Sequence, residues 1–150
     1  MTGLSVVACR VQPMWHPWRA LAHRTDITVR WYATPGRLGS WCERTRTLTL
    51  HPGQGQAERR CTLTHELVHA ELGHRGPCTG SVERRVSAEA ARRLIGDEEL
   101  VEALLWSRDE QELSEELWVD VATVRTRLAD LSDAEKADID GRLWAREEAA

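Results

Sequence analysis

The spacing of apolar and polar residues changes near position 57, and this change divides the chain into a strand-forming part and a helical part. Residues 27–34 ("ITVRWYAT") are β-branched and aromatic, and residues 41–51 end in an alternation of threonine with arginine or leucine. Both patterns predict strands, which we expect to pair as a small antiparallel sheet. Gly- and Pro-rich segments at 35–40 and 52–56 predict the turns that bound them.

Helical spacing begins at about Ala57 and continues nearly to the end of the chain, and a short helix starting at Pro17 precedes the strands. Ser107 and Ser132, each followed three residues later by glutamate, predict capping boxes, and Asp120 predicts a helix N-cap. The pattern therefore predicts an α+β fold, with a small antiparallel sheet followed by a mostly helical body. The main helices are expected at residues 57–72, 82–95, 97–106, 110–117, 121–131 and 133 to near the end.

Composition and charge limit the classes of function. The 150 residues carry a net charge of −4, with the basic excess in residues 1–80 and the acidic excess in residues 81–150. An acidic second half argues against general DNA binding, because phosphate contacts supply most non-specific affinity. The chain lacks a run of about 18 apolar residues, and its first 15 residues are a poor signal peptide, so we expect a cytoplasmic protein without a membrane span. Its four scattered cysteines are expected to stay reduced.

The strongest chemical signal is His65-Glu66-x-x-His69 within the first long helix. Residues four apart on a helix share a face, so the two imidazoles can hold one Zn²⁺. Glu66 stands where zinc peptidases carry the general base for a zinc-bound water. The motif also occurs by chance in unrelated helices, so a third ligand and a supporting scaffold have to be found elsewhere in the chain.

Several residues are candidates for the third ligand. A metzincin site needs Gly at 72 and His at 75, where this chain has leucine and arginine. His74 is about 140° around the helix from His69 and is expected to be a helix-end residue rather than a ligand. Cys61 lies four residues before His65 and shares its face. On the next helix, either Glu83 or Glu89 would complete a His₂Glu site with an open position for water.

The segments "RRCTLTHELVHAELGH" (59–74) and "ERRVSAEAARRLI" (83–95) resemble the ImmA/IrrE family of zinc peptidases. The resemblance covers roughly residues 15–130 and implies that Glu83 is the third zinc ligand beside His65 and His69. Val86 and Ser87 depart from the family pattern, which has alanine and then aspartate or asparagine at these positions. Glu89 stands where an aromatic residue is common. These departures concern groups that support the ligands rather than the ligands themselves.

The resemblance implies a regulatory, zinc-dependent endopeptidase that cleaves or inactivates a helix-turn-helix repressor, often one encoded on a phage or another mobile element. It implies a zincin-like peptidase domain at 1–106 and a C-terminal helical extension at 107–150 that packs on it. The alternative is a binding module that keeps the fold without hydrolysis, such as an antirepressor, a DNA-contacting regulator or a toxin–antitoxin component.

Residues 112–131 look like a helix-turn-helix, in which Arg125 and Arg127 would contact DNA. Trp118 occupies the turn position where a small residue is usual, and the first helix is acidic, so a hairpin packed on the core is the preferred interpretation. Direct binding of nucleic acid or a membrane is not expected.

Two further expectations concern the reaction itself. The segment before the active helix, "RTRTLTL" (44–50), is a candidate for pairing with an extended substrate backbone. A group besides zinc must stabilise the oxyanion. The residues nearby in sequence that are chemically able to do so are Tyr32, His51, Arg59 and Arg60.

Overall fold

A three-stranded sheet is followed by a helical body in the computed structural model, which describes residues 15–150. This arrangement confirms the α+β class expected from the sequence. The first fourteen residues, including Cys9 and the segment considered as a signal peptide, lie outside the described part. The elements are α1 (Pro17–Ala22), β1 (Thr28–Trp31), β2 (Gly39–Cys42), β3 (Thr47–Leu50), α2 (Gln56–Glu71), α3 (Gly80–Leu94), α4 (Asp97–Trp106), α5 (Glu110–Glu116), α6 (Val121–Ala129) and α7 (Asp133–Ala149).

The sheet is mixed rather than antiparallel throughout, with the strand order β1-β3-β2. β2 and β3 pair antiparallel, whereas β1 and β3 pair parallel. The antiparallel pairing expected between the strands predicted at 27–34 and 41–51 is therefore wrong, and the second of these segments contains the end of β2, a turn and β3. The turn predicted at 35–40 is shorter than expected, because Gly39 and Ser40 belong to β2 and pair with Leu50 and Thr49. Composition marks Gly39 as a turn residue, and only its partner on β3 makes it part of a strand.

The central strand β3 carries the alternation that its sequence predicts. Leu48 and Leu50 are fully buried, and Thr47 and Thr49 are partly exposed. The two leucines pack against Leu63 and Leu67 of α2, so the helix that bears the histidine motif lies directly on the sheet. Burial of these four side chains stabilises the contact by roughly 1.5–3 kcal/mol per residue.

A second core lies between the C-terminal end of α3, the helices α4 to α7 and Cys61 of α2. Its buried residues are Cys61, Leu94, Ile95, Leu100, Val101, Ala103, Leu113, Val119, Val124, Ile139 and Leu143. Helix α3 packs on α2 and on α6, and α4 packs on α7. The domain boundary expected between residues 106 and 107 stays a prediction. Residues on both sides of it contribute to this core.

Two of the three predicted helix caps are confirmed. The Asp120 side chain accepts a hydrogen bond from the backbone N–H of Thr123, and Ser132 and Glu135 form a complete capping box. The box predicted at Ser107 is wrong, because Asp109 is the N-cap of α5 and accepts from the backbone N–H of Gln111 and Glu112. Ser107 instead accepts from the backbone N–H of Asp109. An ionised carboxylate at this position stabilises the helix through its attraction to the partial positive charge at the helix N-terminus.

The α5–α6 hairpin differs from a DNA-binding helix-turn-helix in one decisive side chain. Arg127 is 1% exposed and donates to the carbonyl of Ile95 and to Asp97, so it faces the protein interior. Arg125 is exposed and pairs with Glu110. The helix-turn-helix alternative, in which both arginines would contact DNA, therefore does not fit Arg127. Within residues 15–150, no helix is both long and apolar enough to cross a membrane.

Candidate metal centre

Helices α2 and α3 bring His65, His69 and Glu83 together. The Nε2 atoms of the two histidines are 3.1 Å apart. The Glu83 carboxylate places one oxygen 3.1 Å from His65 Nε2 and the other 3.3 Å from His69 Nε2. The histidines meet because they are one helical turn apart, and Glu83 joins them because it lies in the first turn of the helix that packs against α2.

These distances match what a tetrahedral zinc ion requires. Ligand atoms about 2.0–2.1 Å from such an ion lie about 3.3–3.4 Å from one another. The two histidine nitrogens and the Glu83 oxygen that faces each of them are 3.1–3.3 Å apart, within a few tenths of an ångström of that value. Two imidazoles and one carboxylate are also the donor set of catalytic zinc sites that keep one position open.

The protonation of His69 also suits a ligand. This side chain is 7% exposed, and burial together with the nearby His65 and His74 lowers its pKa, although Glu83 acts in the opposite direction. A lowered pKa keeps the ring neutral, which is the form that binds a metal ion.

Glu66 lies beside the three donors and is also buried, with 8% of its surface exposed. Burial and, to a smaller extent, the nearby Glu83 charge raise the pKa of this carboxyl to about 8, with Arg37 acting in the opposite direction. A carboxyl with such an affinity for protons is suited to exchange one with water. Glu66 is therefore the candidate for a general base.

Further polar groups contact the Nδ1 atoms of the two histidines. His69 Nδ1 lies 2.8 Å from His74 Nδ1 and 3.8 Å from Cys78 Sγ. These three side chains form a second group that could hold a metal ion. Ser87 Oγ lies 3.5 Å from His65 Nδ1. The departure from the family pattern at Ser87 therefore leaves His65 with a weak outer contact, whereas His69 has a short one.

The histidines and Glu66 line an open cleft of about 680 Å³. Residues 37–41, which include most of β2, line it together with the loop 74–78 and residues of α3. The start of α6 and its N-cap also line it, with Asp120, Ala122, Thr123 and Thr126. Residues of the α5–α6 hairpin thus belong to the wall of the candidate site.

Two other candidates for the third ligand, Cys61 and Glu89, are not grouped with the histidines. Cys61 lines the cleft, but its sulfur accepts the backbone N–H of Asp120, and burial raises the pKa of its thiol to about 11. A thiol so disposed is a poor metal ligand, since the thiolate is the binding form. Glu89 pairs with Arg93 on the exposed side of α3.

None of the four residues expected to stabilise an oxyanion lines the cleft in the described part of the chain. His51 accepts the backbone N–H of Gly53, Arg59 donates to the carbonyl of Gln54, and Arg60 donates to the carbonyl of Trp118. Tyr32 is exposed at the end of β1. Proximity to the motif in sequence misled the choice, because these side chains make their contacts outside the cleft.

Sequence reasoning missed several polar residues that line the cleft. Arg37 precedes β2, and Ser40 lies within it, in a segment that composition marked as a turn. His74 was expected to be a helix-end residue, and the glycine before it signals that the chain turns back after the helix, but no role in the cleft was assigned to it. Thr123 and Thr126 come from α6, and no local signal could have placed that helix at the site.

Comparison with known proteins agrees with this geometry. Residues 22–129, more than two thirds of the chain, match the peptidase family Peptidase_M78, described as the IrrE N-terminal-like domain. The chain therefore belongs to that family. No curated protein and no solved structure matches the chain. The matched segment runs from α1 to the end of α6 and so includes the α5–α6 hairpin as well as the histidine motif.

Proposed function

We propose that this protein is a zinc-dependent endopeptidase, in which His65, His69 and Glu83 hold the metal ion and Glu66 is the general base. The observation that carries the proposal is the convergence of three metal-binding side chains, whose neighbouring donor atoms are 3.1–3.3 Å apart, beside a buried carboxyl in an open cleft. Membership of a peptidase family supports the same reaction class.

The chain's own residues divide the work of peptide hydrolysis. Zinc bound at such a site supplies a water of lowered pKa and polarises the scissile carbonyl. Glu66 takes the proton from the attacking water and returns it to the leaving amine. Because this carboxyl is buried and already has a raised pKa, it holds the proton between the two steps. Arg37 is the cleft residue whose fixed positive charge can attract a substrate carbonyl.

We propose that the substrate backbone binds along β2. The strand β3, expected from the sequence to pair with substrate, is the central strand and has β1 and β2 on its two edges. β2 is at the edge of the sheet, and Gly39, Ser40 and Trp41 line the cleft. An edge strand offers free N–H and C=O groups to an extended peptide. This binding mode requires an unfolded or flexible segment of the substrate.

A helix-turn-helix repressor is the substrate class that we propose, with a regulatory role for its cleavage. The support is the resemblance of the motif segments to the ImmA/IrrE family. Direct DNA binding is not part of the proposal, because Arg127 is committed to internal contacts and Arg125 to Glu110. Incubation with a repressor encoded next to this protein, followed by mass spectrometry of fragments, tests this substrate.

Metal content is the first test of the proposal. The purified protein should hold about one zinc per chain, and Glu83→Ala should lose it. Cys61→Ser is the matched control, because Cys61 lines the same cleft without belonging to the donor group. Retention of zinc in Glu83→Ala with loss in Cys61→Ser would assign the third ligand to the cysteine. A wild-type protein that takes up no zinc after reconstitution would overturn the peptidase proposal and favour a binding module.

The role of Glu66 needs a separate test. Glu66→Gln keeps the shape of the side chain and removes the base, so it should retain zinc and lose cleavage by a factor of roughly 10² or more. A mixture of unfolded peptides from a digested proteome, with product termini read by mass spectrometry, serves as substrate. Equal cleavage by the variant and the wild type would exclude Glu66 as the base.

A further inference from the structure

Helix α2 ends in a backbone motif that turns the chain back toward its own last turn. Leu72 is the C-cap and Gly73 follows it with φ of +64°, a left-handed conformation that favours glycine. The backbone N–H of Gly73 donates to the carbonyl of Ala70 at 3.3 Å, and that of His74 donates to the carbonyl of His69 at 3.1 Å. These two bonds define a Schellman motif, in which the second residue after the cap lies against the third residue before it.

The side chains of this pair meet as the backbone bonds require. In most such motifs the contact is hydrophobic. Here it is polar, with His74 Nδ1 2.8 Å from His69 Nδ1 and the two rings inclined at 67°. His74 is half-buried in the cleft wall, on a loop that contributes no other short contact to His69.

The direction of this hydrogen bond follows from the role of His69. A ring that binds a metal through Nε2 while neutral carries its hydrogen on Nδ1. His69 is then the donor and His74 Nδ1 the acceptor, which places the hydrogen of His74 on its own Nε2. The opposite direction would put a hydrogen on His69 Nε2, the atom that faces His65 and Glu83.

The nearby thiol is a weaker partner than His74. Cys78 Sγ lies 3.8 Å from the same nitrogen, and a thiol sulfur is a poor acceptor. The other histidine of the pair has only Ser87 Oγ, at 3.5 Å from Nδ1. Of the outer contacts to the two imidazoles, the one from His74 is therefore the short one.

We propose that His74 is a positioning residue of the metal centre: it accepts the hydrogen bond from His69 Nδ1 and so fixes the tautomer and the ring orientation that present Nε2 to the metal. This inference rests on the proposed zinc site and adds to it a residue that the motif does not contain. Outer partners of metal-binding histidines typically contribute 10- to 100-fold in metal affinity, roughly the effect expected here.

The test compares two substitutions of His74 in the full chain. His74→Leu keeps bulk and removes the acceptor. His74→Asn keeps an acceptor, because the asparagine Oδ1 is bonded to Cγ as the histidine Nδ1 is. Affinity for Zn²⁺ is measured by competition with a chelator, and the visible absorption of the Co²⁺-substituted protein reports ligand geometry. We expect an affinity loss of roughly 10- to 100-fold and an altered Co²⁺ spectrum for leucine, and values near wild type for asparagine.

Cys78→Ser is the control that separates positioning from a second metal site. Positioning requires it to leave affinity and spectrum unchanged, with about one zinc per chain. Two zinc ions per chain, with one lost in both Cys78→Ser and His74→Leu, would show that the His69, His74 and Cys78 group binds metal itself and would overturn the inference. Wild-type affinity in His74→Leu would also overturn it while leaving the zinc site intact. Melting curves of the metal-free variants confirm that each one folds.

Discussion

Gly39 of β2 lies directly against the side chain of Glu66 on α2. A Cβ atom built at Gly39 would be 3.1 Å from Glu66 Cγ, 3.2 Å from Glu66 Oε1 and 2.5 Å from Cγ2 of Thr62. The edge strand and the active helix therefore approach as closely as a glycine allows. This contact packs the buried carboxyl against the edge strand, in the lining of the cleft.

We expect Gly39→Ala to impair cleavage without removing the metal. The added methyl group has to displace Thr62 or Glu66, because a separation of 2.5 Å is shorter than carbon atoms tolerate. A displacement near 1 Å at the general base lowers turnover by roughly 10²-fold, and overpacking costs about 1–3 kcal/mol of stability. Zinc content and turnover are measured together, and zinc should stay at about one per chain.

Gly141→Ala is the matched control, since Gly141 lies within α7 with open space around its Cβ position. It should stabilise the protein by up to about 1 kcal/mol, because alanine favours helix, and should leave turnover unchanged. Normal turnover in Gly39→Ala would show that the side chains around Gly39 can shift without harm and that the close approach has no catalytic role.

Arg60 connects the active helix to the α5–α6 hairpin. Its guanidinium is buried and donates to the carbonyls of Trp118 at 2.9 Å and Leu117 at 3.4 Å, at the end of α5. Arg60→Met keeps the apolar stem and leaves these carbonyls without their donor. We expect a loss of about 1–3 kcal/mol, measured by urea unfolding.

The same substitution should increase hydrogen exchange in the α5–α6 turn, which leads into the cleft wall at Asp120. Arg44→Met, at an exposed position, is the control and should change neither quantity by more than about 0.5 kcal/mol. Unchanged exchange in Arg60→Met would mean that the hairpin holds its position through apolar packing alone.

Ser87 gives an opportunity to strengthen the candidate site. Its hydroxyl is 3.5 Å from His65 Nδ1, too far for a good hydrogen bond. An aspartate reaches further and offers a charged acceptor, so Ser87→Asp should raise zinc affinity by up to roughly tenfold in the chelator competition. Ser81→Asp, at an exposed position in the first turn of α3, controls for the added charge. Lower affinity in Ser87→Asp than in Ser81→Asp would argue against an outer role for this position.

The start of α7 predicts a pH dependence of stability. Glu135 pairs with Arg92 and closes the Ser132 capping box, and these contacts lower its pKa to about 2 from an ordinary 4.5. The folded state therefore binds this proton less readily than the unfolded state. The resulting stabilisation is complete above pH 4.5 and disappears as the pH falls toward 2.

Glu135→Gln should accordingly lower the urea midpoint at pH 7, and its midpoint should converge with that of the wild type near pH 2. Glutamine keeps the capping geometry, so the comparison isolates the charge. Glu147→Gln, at an exposed position of the same helix, is the control. A constant difference between Glu135→Gln and wild type over the whole pH range would assign the effect to packing instead of charge.

Features that depend on neighbours along the chain could be predicted from the amino-acid sequence. The pairing of His65 with His69 follows from helical periodicity, and the caps at Asp120 and Ser132 follow from the hydrogen bonds of a helix start. The alternation in β3 predicted which leucines are buried. The choice of Glu83 over Glu89 and Cys61 came from the resemblance to a family, since spacing alone left all three open.

The contacts between segments distant in the chain could not be predicted in this way and are seen in the folded protein alone. The parallel pairing of β1 with β3 puts β2 at the edge beside the cleft, and no local pattern specifies the order of strands in a sheet. The position of Arg127 on α6 likewise left a DNA contact open as an alternative. The packing of α6 on α3 buries this side chain. Burial also sets the proton affinity of Glu66, because a carboxyl's pKa depends on the water that the surrounding elements exclude.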